Sequence, residues 1–439
     1  MKEKEAVMRS YREMNAEELK AERSALASKY DEYKALGLAL DMTRGKPSPV
    51  QLDLTNHIYD TLATEGFKTK EGVDTRNYNT PSGITEMREV FAQILGTSAD
   101  KVFLGNSSSL NQMFDSLMRA LVFGEYDSDK PWGQVEGKKW LCPVPGYDRH
   151  FRVTQTLGFE LINVPMTENG PDMDIVEELV KDEKVLGMWC IPVYSNPDGI
   201  VYSEETCRRL ASMKTGAKDF RIYWDNAYVV HHLTDNEAEQ GSVPDILGLC
   251  EEYGNPSRAY EFASSSKITF AGAGISCIAA NKDNMDHAKK IMAVQTICNN
   301  KVNQLAHARM LPDLDAVKAH MRKHAEILRP KFSKTLEILN NELGWTGTAK
   351  WHEPKGGYFV SIFVMPGTAD KVVAMCKEAG VALTPAGATY PYGKDPDNSN
   401  IRIAPSFPSV GEIDTAVNVL CVCAKITAID LILKQMEEQ

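Results

Sequence analysis

Between residues 85 and 280, short apolar runs, each about as long as one strand, alternate with helical stretches. Buried parallel strands joined by helical crossovers have this pattern, so it predicts an α/β fold with a mostly parallel central sheet. Ligands of such sheets bind at the carboxyl ends of the strands, so the polar residues that follow each run are candidates for function. The predicted strands are Val102–Leu104, Lys139–Cys142, Leu161–Val164, Gly187–Pro192, Arg221–Trp224 and Gly274–Ala280.

The pattern changes on both sides of this region. Apolar residues recur at helical spacing within residues 15–36, which predicts an amphipathic arm helix that ends near Gly37. Residues 312–343 predict another helix, which leads into a strand over 356–363, a helix over 368–379 and a strand over 401–404. This succession predicts a smaller α+β domain. The expected division is an arm helix and part of the small domain in 1–50, a large domain in 51–312 and a C-terminal small domain in 313–439.

Composition narrows the class of protein. The chain has 439 residues, of which 43% are hydrophobic and 25% charged, as in ordinary globular enzymes. A formal net charge of −11 argues against a general nucleic-acid binder, which needs a basic face. The first residues mix Glu with Lys and contain no apolar signal core, and no uninterrupted run of about 18 apolar residues occurs. We therefore expect a cytoplasmic protein without a membrane or nucleic-acid partner.

The cysteines and histidines do not predict a metal site. Nine cysteines stand at irregular spacing without paired CxxC units, so we expect reduced thiols. His231 and His232 are adjacent, and on a strand they would point to opposite sides. No metal is expected.

Polar residues after two of the predicted strands suggest chemistry on an aromatic cofactor. Asp225 follows the run Ile222–Trp224, and a carboxylate there could pair with a protonated pyridine nitrogen and make the ring an electron sink. Asn196, in the turn Asn196-Pro197-Asp198-Gly199, and Tyr228 could hydrogen-bond the phenolic oxygen of the same ring. Taken singly, these residues are more often ordinary caps and turns.

Two serine clusters suggest an anion site and a nucleophile. Ser107, Ser108 and Ser109 follow a predicted strand and open a helix, where backbone amides and hydroxyls can bind a phosphate or simply cap the helix. Ser264-Ser265-Ser266-Lys267 places small hydroxyls before one lysine. A lysine with other cations nearby loses affinity for its proton and becomes a Schiff-base nucleophile, whereas most lysines of serine-rich loops are solvated.

Taken in order, these motifs resemble those of the fold-type I pyridoxal-phosphate (PLP) aminotransferases of the aspartate aminotransferase class. The order is Asn196-Pro197, Asp225-x-x-Tyr228, Ser264-x-Ser266-Lys267 and Arg402, with separations of 29 residues from Asn196 to Asp225 and 42 from Asp225 to Lys267. The resemblance extends from about Arg44 to Phe407. The segments CPVPGYD, PVYSNPDG and TICNNKVNQLAHAR look most like the MocR-type or alanine-glyoxylate aminotransferase-like branch.

The resemblance implies a type I PLP-dependent transferase fold, whose large domain binds pyridoxal phosphate as an aldimine on Lys267. Catalysis would use Lys267, Asp225 and Tyr228, with Tyr147 stacked on the cofactor ring. Tyr78 would reach the phosphate of a neighbouring subunit, so a homodimer with shared sites is implied. The residues implied to bind the cofactor are Ser107, Ser108, Ser109, Tyr147, Asn196, Asp225, Tyr228, Ser264, Ser266, Lys267 and Tyr78.

The resemblance also implies a ping-pong exchange between an L-amino acid and a 2-oxo acid. Arg402 would grip the α-carboxylate, Gly45 would close over the substrate and Asn196 would contact it. The cations Arg44, Lys46 and Lys301 favour aspartate or glutamate, paired with oxaloacetate or 2-oxoglutarate. Alanine, an aromatic amino acid and 2-aminoadipate are the alternative substrates. The chain departs from the family at one position, because Ile275 stands eight residues after Lys267 where an arginine usually neutralises the phosphate. Lys301 is a candidate to replace it.

Two other functions fit the same residues. A β-lyase or decarboxylase would share every cofactor contact. The effector domain of a MocR-type regulator would bind the cofactor without turnover, but only about 40 residues precede Arg44, too few for a helix-turn-helix domain.

Overall fold

The computed structural model describes residues 9–438, which divide into two compact units. The sheet unit comprises residues 49–326 and 355–357, and the terminal unit comprises the described residues 9–48, 327–354 and 358–438. The functional division expected at residues 50 and 312 stays a prediction.

The sheet unit is built on eight strands in the order β2-β9-β8-β7-β6-β3-β4-β5. The pairs β3–β4, β3–β6, β6–β7 and β7–β8 are parallel, whereas β8–β9, β2–β9 and β4–β5 are antiparallel. The predicted α/β class with a mostly parallel sheet is confirmed. The strands are β2 Val102–Leu104, β3 Lys139–Val144, β4 Glu160–Thr167, β5 Gly170–Pro171, β6 Val185–Cys190, β7 Arg221–Asp225, β8 Ala259–Ser264 and β9 Ser276–Ala279.

Strand β8 was not predicted, although it leads directly into Lys267. Its apolar run is interrupted by Glu261, which is buried with a relative exposure of 1%. A charged residue at the centre of a strand hides the continuous apolar pattern of a buried parallel strand. Parallel pairing with β7 places Asp225 opposite Phe262, so the ends of both strands lie at the same edge.

Helices cover the sheet, and large aromatic side chains fill its core. Trp140 lies 5.1 Å from Tyr223, 5.3 Å from Phe159 and 5.4 Å from Trp189, measured between ring centroids. The helices are α2 Pro49–Asp53, α3 Asp60–Glu65, α4 Thr85–Leu95, α5 Ser109–Phe123, α6 Asp148–Thr156, α7 Met173–Leu179, α8 Glu204–Ser212, α9 Ile246–Glu252, α10 Lys282–Gln295, α11 Lys301–Met310 and the start of α12 Leu314–Leu343.

The terminal unit combines small sheets with long helices. Strand β1 pairs in parallel with β12, and β10, β11 and β13 form an antiparallel sheet. The strand expected over 356–363 is shorter, because the chain turns at Gly357, where φ is +80°. The elements are α1 Ala16–Ala35, β1 Leu40–Asp41, the end of α12, β10 Lys350–Trp351, β11 Val360–Phe363, α13 Ala369–Glu378, β12 Val381–Ala382, β13 Asn400–Ile403 and α14 Val410–Glu437.

Helix α14 is long and apolar enough, by length and composition alone, to cross a membrane. Its most apolar window has a mean hydropathy of 2.0, although the charged residues Lys425 and Asp430 interrupt the apolar sequence of the helix. The inside of the protein buries 78% of that window, as expected of a core helix.

Candidate active site

The site is built around Asp225, the last residue of β7. Its side chain is buried, and Nε2 of His150 lies 3.1 Å from its Oδ2 atom. His150 is on α6 and stacks on Trp189 at a centroid distance of 4.2 Å. Sequence reasoning gave His150 no role. The only signal was its position at the end of the polar segment that follows β3.

Asp225 keeps one carboxylate oxygen for a ligand. Its Oδ1 atom is buried and has no hydrogen-bond partner among residues 9–438. Burying an acceptor without a partner is costly, so a donor is required at this position. A protonated pyridine nitrogen supplies one N–H, and this observation therefore fits pyridoxal phosphate.

Lys267 follows β8 on the loop beside Asp225. Its ammonium nitrogen lies 4.9 Å from the centroid of the Tyr228 ring. Burial lowers the pKa of Lys267, and the Asp225 carboxylate opposes this shift. Neighbouring cations were the cause expected for this lowered pKa. The cause is instead desolvation, which disfavours the charged amine.

Other predicted cofactor residues lie close to this pair. Asn196 and Tyr228 are each only 3% exposed. Tyr147, His150 and Asn196 line one small cavity at the end of β3. The Tyr147 ring also meets the His150 ring edge-on at 4.9 Å. The structure therefore brings an aromatic ring, an amide and an imidazole to the strand end that carries Asp225.

An open depression of about 250 Å³ lies at the start of α5, and Ser107 is the one predicted serine in its lining. Ser108 precedes the helix without capping it through its side chain, so that hydroxyl is not used by its own helix. The Ser266 hydroxyl donates to the Ser107 carbonyl at 2.6 Å, and Ser264 donates to Ser266 at 3.1 Å. The residues lining the depression are Tyr59, Gly105, Asn106, Ser107, Gly272, Ala273, Gly274, Ile275, Asn300 and Asn303.

No lysine or arginine is among these lining residues. Ile275 is buried, and its amide donates to the Ser265 hydroxyl at 2.9 Å. The Asn303 amide donates to the carbonyls of Ala273 and Gly274 at 2.9 and 3.3 Å. The depression therefore offers an anion neutral donors and the positive end of a 15-residue helix. Sequence reasoning did not identify Tyr59 or Asn303.

Two further predicted residues differ sharply in exposure. Lys301 begins α11 and is only 2% exposed, and its ammonium group has no hydrogen bond or ion pair within residues 9–438. Tyr78 is 74% exposed. A buried ammonium without an anion is costly, whereas an exposed tyrosine is free to meet another molecule.

The remaining substrate residues belong to the terminal unit. Arg402 is buried on β13, opposite Ser361, with its guanidinium 4.9 Å from the centroid of the Phe359 ring. Gly45 packs against the same ring, because a Cβ atom there would lie 2.4 Å from it. Arg44 is exposed.

Comparison with known proteins gives a consistent result. A family model described as "Aspartate amino-transferase" matches residues 14–436. An aspartate aminotransferase of Corynebacterium glutamicum is 48% identical over 95% of this chain and 96% of its own length. A solved aspartate transaminase from the same species superposes with a TM-score of 0.94 at 47% identity, covering 97% of this chain and all of its own.

A more distant structure has the same fold. The α-aminoadipate aminotransferase of Thermus thermophilus, solved with N-(5'-phosphopyridoxyl)-L-leucine, has a TM-score of 0.72 at 20% identity. It covers 89% of this chain and 93% of its own.

Glu261 makes the stability of this edge depend on pH. Its carboxylate accepts from the amide of Asn226, the neighbour of Asp225, at 3.1 Å. Burial, followed by the Asp245 carboxylate, raises the pKa of Glu261 to about 8. The folded state therefore holds a proton that the unfolded state releases near pH 4.5, and folding stability declines as pH rises through about 8.

We predict that Glu261→Gln becomes more stable than the wild type as pH rises, because glutamine keeps the acceptor and cannot ionise. Between about pH 5 and about pH 9 its advantage in the free energy of unfolding should grow by more than about 1.4 kcal/mol, one pKa unit. Urea denaturation at both pH values measures this. Glu252→Gln, at an exposed position, is the control. A difference that does not change with pH would contradict the prediction.

Proposed function

Because the chain belongs to the aspartate aminotransferase family and is a pyridoxal-phosphate-dependent aminotransferase, we propose that it moves the amino group of aspartate or glutamate to a 2-oxo acid through Lys267. The partner oxo acids are oxaloacetate and 2-oxoglutarate. The observation that carries this proposal is a lysine of lowered pKa beside a buried carboxylate that keeps one free oxygen.

Each part of the cofactor has a proposed partner. When bound, pyridoxal phosphate supplies a ring that accepts the electron pair left on the substrate's α-carbon. Asp225 holds the proton on the ring nitrogen, and His150 orients the Asp225 carboxylate. Asn196 and Tyr228 donate to the phenolic oxygen. Tyr147 packs on the ring face, and the serines at 107–109, 264 and 266 hold the phosphate.

Lys267 has two tasks in this proposal. Its amine would hold the resting cofactor and, once displaced by the substrate's amine, would take up the substrate's α-proton and later release it. A general base must be deprotonated to accept a proton, and burial of Lys267 favours that state. Tyr228 lies beside the amine and contributes a hydroxyl to the same region.

The remaining proposed roles concern the substrate. Arg402 pairs with the α-carboxylate through two parallel hydrogen bonds, because both groups are planar and match in geometry. Gly45 leaves room for the substrate. Arg44 and Lys301 are the candidate cations for the distal carboxylate. The assignment to the MocR-type branch, the limits at residues 50 and 312 and a cytoplasmic location are parts of the same proposal.

We predict that Lys267→Ala loses the absorbance of lysine-bound cofactor and forms no oxo acid from aspartate. Lys282→Ala, at an exposed site that pairs with Asp286, should retain both. Spectra of the purified holoprotein and assays of its products measure this. Retention of the native band by Lys267→Ala would refute the role of Lys267. Release of ammonia or carbon dioxide in place of oxo acid would favour a lyase or decarboxylase.

We predict that Lys301→Met reduces kcat/KM for aspartate roughly 10- to 100-fold, because a hydrogen bond to a charged group contributes about 1.5–3 kcal/mol. Methionine fills the space of the buried stem without the charge. Alanine, which lacks the distal carboxylate, is the internal control and should be affected less than about threefold. Equal losses for both donors would instead place Lys301 at the cofactor phosphate.

A homodimer is proposed on the basis of exposed apolar side chains. Phe114, Met118 and Val122 recur every four residues on α5, and Phe123 follows them. The exposed fractions of Val122 and Phe123 are 52% and 57%. A contiguous apolar stripe of this kind marks an interaction surface. A partner subunit covering it would also offer the exposed Tyr78 a place in the neighbouring site.

We predict that Val122→Glu shifts the protein toward monomer and lowers aminotransferase activity in parallel, because a charge cannot be buried at the interface. Leu36→Glu, at a 62% exposed position of the terminal unit, should change neither. Sedimentation velocity and activity measured across protein concentrations test this. A fully active monomer would show that the site is complete within one chain.

A further inference from the structure

Four buried histidines surround the loop that carries Lys267. His231 follows β7, His307 lies on α11, and His320 and His324 lie one turn apart on α12. Their relative exposures are at most 5%. None of them was given a role by the sequence or by the proposed chemistry.

These imidazoles bind three consecutive residues. His231 Nε2 lies 3.4 Å from the Lys267 carbonyl oxygen, and His320 Nε2 lies 2.8 Å from that of Ile268. His324 Nε2 lies 3.2 Å from His320 Nε2, so His324 contacts the ring that holds Ile268.

The third residue is held through its side chain. His307 Nε2 lies 2.8 Å from the Thr269 hydroxyl, and His307 Nδ1 lies 2.9 Å from the Asn303 carbonyl. A carbonyl can only accept, so Nδ1 carries the proton and Nε2 accepts from Thr269. The same Thr269 hydroxyl is 3.1 Å from the Ser265 hydroxyl, which receives the Ile275 amide. These contacts extend to the depression at the start of α5, because Ile275 is part of its lining.

The pKa shifts of these histidines favour neutral rings. The Gln51 amide nitrogen lies 3.1 Å from His324 Nδ1. Burial lowers the pKa of His307 to about 4 and of His324 to about 3, and also lowers the pKa of His231 and His320. Neutral donors satisfy the loop without placing a second positive charge beside Lys267.

We propose that His231, His307, His320 and His324 are positioning residues that hold the backbone of residues 267–269, so that the Lys267 amine meets cofactor and substrate in one orientation. The proposal rests on Lys267 as the cofactor lysine. Their contacts lie on the loop backbone and the Thr269 hydroxyl, and no cluster of three or more possible metal ligands occurs among residues 9–438. His231 also contacts a proposed cofactor residue, because its ring meets the Tyr228 ring edge-on at a centroid distance of 5.6 Å.

The test compares His320→Leu with His320→Gln in the holoenzyme. Leucine removes the donor to Ile268, whereas glutamine places an amide N–H at a similar reach. The rate constant of the half-reaction with aspartate, followed by cofactor absorbance, should fall roughly 10- to 100-fold in His320→Leu, because small misplacements of a reacting group can cost about 10²-fold. The KM should change less than about threefold, since this residue contacts no substrate. Glutamine should restore most of the rate.

His287→Leu is the matched control. His287 donates from α10 to the Gly124 carbonyl at 3.0 Å, so it makes the same kind of bond away from Lys267. Its half-reaction rate should stay within about twofold of the wild type. The pH midpoint of the bound cofactor's absorbance should move in His320→Leu and remain in place in His287→Leu, because that midpoint depends on where the Lys267 nitrogen lies.

Three results would overturn the proposal: equal rates for His320→Leu and His287→Leu, a glutamine variant as slow as the leucine variant at equal thermal stability, or an unmoved midpoint. If His320→Leu does not fold, His320→Asn gives the same comparison, because its shorter amide does not reach Ile268. Loss of the lysine-bound band in Lys267→Ala tests the premise separately. If that band survives, the proposed function fails, whatever the histidine variants do.

Discussion

An amine held out of water loses affinity for its proton, and the function proposed for this chain depends on that loss at Lys267. Desolvation lowers the pKa of Lys267, while the Asp225 carboxylate limits the shift. The surrounding groups are consistent with this balance. A protonated imidazole beside the loop would repel the ammonium and distort the hydrogen bonds that hold it, so the four histidines serve best as neutral rings. Burial is the largest cause of the lowered pKa of each ring.

Much of the fold and part of the site could be predicted from the sequence. Uninterrupted apolar runs revealed most strands, and Asp225 and Asn106–Ser109 stand where two of those runs end. Strand β8 was missed because Glu261 interrupts its run, and its burial depends on tertiary contacts with Asn226. The histidines could not be found either. They come from three elements, and their contact with residues 267–269 depends on how α11 and α12 pack on the sheet. His150 was not predicted for the same reason, since only the fold brings α6 to the end of β7.

The depression at the start of α5, which is the proposed phosphate site, has no arginine or lysine in its lining. Ile275 contributes its backbone, while its side chain is buried. Asn303 fixes the carbonyls of Ala273 and Gly274, which shapes the wall facing Ser107. Backbone amides and hydroxyls would bind a phosphate mainly through directed hydrogen bonds. Salt screens such bonds less than it screens a surface ion pair. The positions of the donors would therefore matter more for phosphate binding here than the net charge of the lining.

Glu261 and the four histidines show one consequence of burying titratable groups near the sheet edge that carries Asp225. Burial raises the pKa of the acid and lowers the pKa of each imidazole, so groups of opposite type all tend toward their neutral forms. Neutral groups still form the hydrogen bonds that place backbone and side chains, but they add little long-range field. The field at this edge of the sheet is then set mainly by Asp225, by Lys267 and by the charges that the ligands carry. A site of this kind can hold its reacting lysine rigidly and still respond to the charge of what enters it.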